Sequence, residues 1–233
     1  MEITRGDRSY VVADGHDWFW KMFGDGSWEP TTFPIFDKFL DPEKNFVDIG
    51  AWIGPTALYA APRAKQVFAF EPDPVAFRSL VMNLALNRAD NVVPYPVAVS
   101  DQWKGIPFGA KTGYGDSMSS QIWAKGDKEV PAVSFTAILA DLEPGFIKID
   151  IEGGEKFLFT GSHLLLEQIK PTIHLSLHTP SFAGHVDAFA KPIINELSVY
   201  PYFYDEHFNP IELEAAFDVG AFNSVIATFT PIV

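Results

Sequence analysis

The chain has 233 residues, 47% hydrophobic and 20% charged, a length and composition that carry one folded domain with a substantial core. It has no cysteine, which excludes disulfides, thiolate metal sites and cysteine nucleophiles. Its 17 basic against 30 acidic side chains give a formal charge of −13, the wrong sign for a nucleic-acid partner.

The chain begins with the polar "MEITRGDRSY", and no apolar run approaches the roughly 18 residues that span a bilayer, so a cytoplasmic protein without membrane contact is expected. The first thirty residues, with "DWFW" at Asp17 to Trp20 and the turn "GDGSWEP", read as an irregular lid or packing segment. "DWFW" itself is expected in the core. "TTFPIFDKFL" reads as a short helix. A regular alternation follows: strand "NFVDIG", helix "PTALYAAPRA", strand "QVFAFE", amphipathic helix "DPVAFRSLVMNLALN" and strand "NVVPYPVAV". These short runs, rich in β-branched and aromatic residues and closed by turn residues, suit strands buried on both faces of a parallel sheet. Asp101 to Glu129 loses periodicity, and "GAKTGYGDSMSSQ" is a loop placed over a site. Then come "AVSFTAILADL", strand "FIKIDI", helix "EKFLFTGSHLLLEQI", strand "TIHLSLH", a helix around "GHVDAFAKPIINEL" and the strands "VYPYFY" and "NSVIATFT". The expectation is an α/β protein with a doubly wound, mostly parallel, seven-stranded Rossmann-like sheet.

In such sheets ligands sit beyond the carboxyl ends of the strands, where strand order reverses. That rule puts Asp48, Gly50, Glu71, Asp150 and His178 on one rim. The turn after the first core strand, "DIGAWIG", departs from the dinucleotide pattern G-x-G-x-x-G by placing Ala51 and bulky Trp52 where a pyrophosphate needs an opening. A nucleoside without phosphates is not crowded there. Glu71, ending the next strand, can accept hydrogen bonds from both hydroxyls of a ribose. The pair fits S-adenosylmethionine better than NAD. On the plainer alternative the turn only joins strand to helix and Glu71 only caps "DPVAF".

"FVDIGAWIG", "FAFEPDPVAFRSLVMNLALN", "VAVSD" and "IKIDIEGGE", preceded by "SWEPTTF", resemble in order the signatures of the FkbM family of S-adenosylmethionine-dependent methyltransferases. The resemblance runs from Trp28 to His178. It implies a class I methyltransferase fold in one domain, with residues 1–40 as lid or packing segment and 45–233 as catalytic core. It also implies O-methylation of a hydroxyl on a small molecule, natural product or sugar. Carried over by position, Asp48, Gly50, Ala51, Trp52 and Gly54 shape the methionine and ribose pocket. Glu71 and Pro72 hold the ribose, Ala98, Val99 and Asp101 border the adenine, and Glu29 approaches the methionine end. Ala137 and Ser176 stand where the family often has an aspartate and a glutamate, which puts the acceptor's identity in doubt.

Methyl transfer to a hydroxyl is helped by a base, typically about 10²–10⁴-fold. The candidates are Asp150, Glu152 and His178, of which His178 has the near-neutral intrinsic pKa that suits a base. It is equally an ordinary strand-end histidine. Asp150, Glu152, Glu155 and His178 are oxygen and nitrogen donors that Mg²⁺ could share, but nothing in their spacing demands it and no metal is expected. "DSMSS" reads as an acceptor-side or merely solvated loop, and Asn83 and Asn87 as residues of a helix face and its end. The competing functions are a cofactor-binding protein without catalysis and a nicotinamide dehydrogenase.

Overall fold

The computed structural model describes all residues except 111, 125–127, 179–185, 218–222 and 233. The first thirty residues, expected to be irregular, are ordered. A hairpin of β1 (Glu2–Arg5) and β2 (Arg8–Val11) leads into helix α1 (Asp17–Asp25), which Gly26 ends in the left-handed region. Helix α2 (Thr32–Phe39) follows. Within "DWFW", Phe19 and Trp20 are fully buried, each stabilising the fold by roughly 1.5–3 kcal/mol, while Trp18 stays 64% exposed.

The α/β core starts with β3 (Asn45–Ile49), α3 (Pro55–Ala60), β4 (Gln66–Phe70), α4 (Pro74–Leu86) and β5 (Val92–Tyr95). Asp73 caps α4 by accepting from the amides of Val75 and Ala76, and Pro74 stands where a missing N–H costs nothing. Asn87 at the helix end accepts from the Val11 amide at 2.9 Å and donates to the Val11 carbonyl at 2.7 Å, imitating a strand partner for the hairpin. Asn83 accepts from Ala13 and donates to the Ile53 carbonyl, so both asparagines fasten the N-terminal segment to the core.

The expected single strand over "NVVPYPVAV" is two. Pro96, just past Tyr95, cannot donate to a ladder, so β5 stops and β6 (Ala98–Ser100) leaves the main sheet. Two short strands, β7 (Ile106–Pro107) and β8 (Glu129–Val130), pair with each other, and β9 (Ala132–Ser134) pairs with β6. Helix α5 (Phe135–Leu142), β10 (Pro144–Ile149), α6 (His163–Ile169), β11 (Thr172–Leu177), α7 (Val186–Leu197), β12 (Tyr202–Tyr204) and β13 (Asn223–Thr228) complete the described elements. The one long helix expected over "EKFLFTGSHLLLEQI" is a 3₁₀ turn at Glu155–Phe157 and then α6, separated where Gly161 turns left-handed. Gly184 and His185, read as the start of α7, lie outside the described residues.

The main sheet has seven strands in the order β12-β13-β11-β10-β3-β4-β5, parallel throughout except for β13. Alternate residues supply two cores. Val47, Ile49, Ile147 and Ile149 pack toward α5, α6 and α7, and Phe46, Val67, Ala69 and Phe146 pack toward the N-terminal helices, α3 and α4. This is a doubly wound sheet of the class I methyltransferase type. The chain leaves β3 toward β4 on one side and reaches β10 on the other, so strand order reverses between β3 and β10.

Candidate active site

A cavity opens above the ends of β3, β4 and β10, bounded by the turn after β3, by Glu71 and Pro72 after β4, and by the loop residues Asp116 to Gln121. Gly50 adopts φ +83°, and a Cβ built there would lie 1.9 Å from the carbonyl oxygen of Asp150. At Gly54, φ +95°, a Cβ would meet the Leu80 side chain at 2.7 Å. The group that comes so near the glycines is therefore the protein's own chain: the backbone after β10 at one, helix α4 at the other.

Four amides of that turn are engaged. Gly50 and Ala51 donate to the Phe70 carbonyl at 3.0 and 3.1 Å, and Gly54 donates to Ala51 at 2.9 Å. Trp52, left-handed at φ +48°, donates its amide to Glu71 Oε2 at 2.8 Å. None of these four N–H groups is left to cradle a pyrophosphate, a firmer objection to a dinucleotide than the bulk of Trp52. Glu71 Oε1 accepts from the Asp73 amide at 2.8 Å. Each carboxylate oxygen keeps a second lone-pair direction for a ligand. Burial raises this acid to about 7, against the two amide hydrogen bonds that favour its ionised form.

Lys148 lies in β10 directly beside Asp48 in β3. A lysine in the apolar run "FIKI" must be paired, and it is: Nζ stands 3.2 Å from Asp150 Oδ2, 3.8 Å from Asp48 Oδ1, and donates to the Gly50 carbonyl at 3.3 Å. Burial would lower its pKa, but Asp150, Asp48 and Glu29 outweigh that and raise it. The shorter contact decides between its two acids. Asp150 is lowered despite burial, by Lys148 and then His178, while fully buried Asp48 is raised by burial although Thr56 Oγ1 donates to it at 2.6 Å.

His178 follows β11 and meets three carboxylates from the turn after β10. Nδ1 is 3.0 Å from Glu155 Oε1, and Nε2 is 3.5 Å from Asp150 Oδ1 and 3.4 Å from Glu152 Oε2. Burial would lower its pKa, but hydrogen bonds to Glu152 and Glu155 and the charge of Asp150 raise it to about 11. The three acids favour the protonated ring, which weighs against the base role expected of it. Ligand atoms of Asp150, Glu152 and His178 lie within 4.8 Å of one another, close enough for a divalent cation to share. His174, two turns of the pleat earlier, is buried and lowered to about 3, first by burial and then by Lys148, and contacts Ser224 Oγ at 2.6 Å.

Of the residues singled out from the sequence, Glu29, Gly50, Ala51, Trp52 and Glu71 line the cavity, as do Pro72, Ala98, Val99, Asp150 and Glu152. Asp48 sits one layer below its floor against Lys148, Gly54 against Leu80, and His178 behind Asp150 and Glu152. Asp101 is exposed, its carboxylate accepting from Ser100 Oγ, and it is not in the cavity wall. Ala137 and Ser176 are not in the wall either. Glu29, left-handed at φ +42°, is raised to about 7 by burial and then by Asp150.

Three groups in the wall were not anticipated: Lys148, the aromatic set Trp18, Phe19 and Trp28, and Phe108 with Ile106. Lys148 had a readable signal, a single cation in a strand buried on both faces. The serines of "DSMSS" are wall, not solvated loop: Ser117, Ser119 and Ser120 face the cavity. Asp73 holds that loop, accepting from the Gly115 amide at 2.7 Å and Ser119 Oγ at 2.6 Å, and Trp52 Nε1 donates to the Gly115 carbonyl at 3.1 Å.

A family model described as "Methyltransferase FkbM domain" matches residues 48–209, more than two-thirds of the chain. Among curated proteins, the ribosomal protein L11 methyltransferases of Bacillus cereus (strain B4264) and Bacillus anthracis (strain CDC 684 / NRRL 3495) are each 38% identical over 74 residues. That match covers 30% of this chain and 24% of each of those proteins, about a quarter of their length. Among solved structures, methyltransferase FkbM from Methylobacillus flagellatus KT aligns with TM-score 0.54 and 19% identity, over 80% of this chain and 44% of that one.

Proposed function

The chain belongs to the FkbM family of S-adenosylmethionine-dependent methyltransferases, and we propose that it methylates a hydroxyl oxygen of a small molecule, natural product or sugar. The observation that carries this reading is an acid-lined and aromatic-walled cavity over the switch point, with Glu71 on one side and Asp150 and Glu152 on the other. The donor set fits the cofactor. Glu71 presents lone pairs suited to two ribose hydroxyls, and Glu29 with Asp150 offers negative charge to a cationic amino-acid end. Ala98, Val99, Phe108 and Phe70 give a flat base an apolar berth.

When bound, S-adenosylmethionine supplies an electrophilic methyl whose bond to sulfur breaks with the electron pair remaining on sulfur. The chain's own work is to hold the acceptor oxygen in line, exclude water and receive the hydroxyl proton. We assign that proton to the carboxylate of Glu152. His178 is a positioning residue: its imidazolium, clamped by Glu155, orients Asp150 and Glu152. Lys148 anchors Asp150 from below. The positive charge at this spot is supplied by His178 itself, and the reading uses no metal. An acidic chain of net charge −13 and a buried rim favour a small acceptor over RNA. The L11 methyltransferases act, by name, on a ribosomal protein, but a shared quarter of their length carries no acceptor across.

Calorimetry with S-adenosylmethionine tests the cofactor roles: Glu71→Ala should weaken binding by about tenfold or more, the loss of charge-assisted hydrogen bonds to a buried carboxylate. Labelled-methyl transfer to a panel of hydroxylated and aminated compounds tests the chemistry. Glu152→Gln should lower kcat by about 10²-fold with cofactor affinity unchanged. Methyl found only on nitrogen, or Glu71→Ala binding as the parent does, would overturn the respective assignment.

A further inference from the structure

We propose that the acceptor is a cation: the subsite between Trp18, Trp28 and Glu152 recognises a hydroxylated amine and rejects phosphorylated compounds. This rests on the methyltransferase reading and names the charge class of its substrate.

The first support is the charge of the wall. Glu29, Glu71, Asp116, Asp150 and Glu152 line the cavity, and among the described residues Lys148 is the single lysine or arginine that does. Lys148 is 3% exposed and committed to Asp150, Asp48 and the Gly50 carbonyl, so it has no face to offer an incoming phosphate. With Glu29 and Glu71 counted as neutral acids, the remaining wall carboxylates still outnumber that one ammonium by two. His178 behind the wall is matched by Glu155 at 3.0 Å. S-adenosylmethionine, with a sulfonium, an ammonium and a carboxylate, brings one net positive charge. One negative charge is left over for the second ligand to meet, and an anionic acceptor would instead add to it.

The second support is the aromatic wall on the Glu29 side. Phe19 packs edge-on against Trp52 at 4.5 Å and Trp28 at 4.9 Å, which fixes the orientation of both indoles. Trp18, 64% exposed, reaches the same cavity. Indole faces next to carboxylates attract ammonium groups by their quadrupoles and add to the carboxylate's pull. A burial motive explains Phe19 and Trp20 but not Trp18, which burial leaves in water.

The test uses the 233-residue protein and three aromatic probes of similar size, benzylammonium, benzyl alcohol and benzoate. Binding of S-adenosylhomocysteine is measured first by calorimetry; its failure would sink the methyltransferase reading on its own. The probes are then titrated into the complex, or into the free protein if no complex forms. Benzylammonium should bind about tenfold tighter than benzyl alcohol, with benzoate undetected. Glu152→Gln should bring benzylammonium to within about threefold of the alcohol, and Trp18→Ala should weaken both. Benzoate binding as tightly as benzylammonium, or no probe binding at all, would overturn the proposal. So would an ammonium preference untouched by Glu152→Gln, since the cation would then sit on the acidic surface.

Discussion

A methyl group at Gly50 would collide with the Asp150 carbonyl at 1.9 Å in a left-handed backbone, whereas one at Gly54 would press only on the end of the Leu80 side chain. Leu80 can rotate and the Asp150 backbone cannot, because the Asp150 amide is itself bound to Ile49. Gly50→Ala should therefore cost about 4 kcal/mol or more in urea unfolding, and Gly54→Ala about 1–2 kcal/mol. Equal losses would mean that the strand β10 junction yields more easily than its packing indicates. At His178 the folded state keeps a proton that the unfolded chain gives up near 6.5. Its stabilisation is complete below 6.5 and is lost as pH rises toward about 11. The melting temperature should fall from pH 7 to pH 10, and His178→Gln should flatten that slope; an unchanged slope would show the imidazolium is not the group titrating. Asp150 was legible as a rim carboxylate because it follows a strand end, and Glu152 because it stands two residues on in the same turn. The protonation of His178 was not, since it depends on three acids from one turn converging on a residue more than twenty positions later. Spacing does not reveal such convergence.

Two side chains tie the loop over the cavity to the core, Asp73 at the start of α4 and Trp52 after β3. Asp73 uses Oδ1 to cap the helix and Oδ2 to grip Gly115 and Ser119. Removing it in Asp73→Ala should destabilise the protein by about 1–2 kcal/mol through the lost cap. It should also quicken limited proteolysis between Gly109 and Ala124 at a protease level that spares the sheet. Asp73→Asn, which retains an acceptor for the cap, should recover most of the stability. Protection unchanged in Asp73→Ala would mean that the Trp52 bond to Gly115 suffices alone. Strands β3, β4, β10 and β11 and helix α4 were readable in the sequence because their apolar runs are long enough to show a period. The pairs β6–β9 and β7–β8 were not: strands of two or three residues have no period, and their partners lie some thirty residues away. The N-terminal hairpin escaped notice for a related reason. Its order comes from Asn83 and Asn87 of α4, which looked like surface residues of their own helix.

For the molecule as a whole, one topological fact governs the rest: strand order reverses between β3 and β10, and the parallel strands deliver their carboxyl ends to one rim. Asp48 and Lys148 seal the seam between those two strands. Glu71 arrives from the next strand on one flank, and the Asp150–Glu155 turn with His178 closes the other. Among the described residues, five of the chain's 30 acidic side chains line the cavity against one lysine, a balance that suits a cationic cofactor. The most direct measurement is a crystal structure of the protein with S-adenosylhomocysteine. Both ribose hydroxyls should lie within hydrogen-bond distance of Glu71, with the base between Phe70 and Phe108 and the amino-acid end toward Glu29 and Asp150. A nucleoside lodged away from the β3–β10 rim, or bound there with Glu71 turned from the sugar, would contradict the central claim.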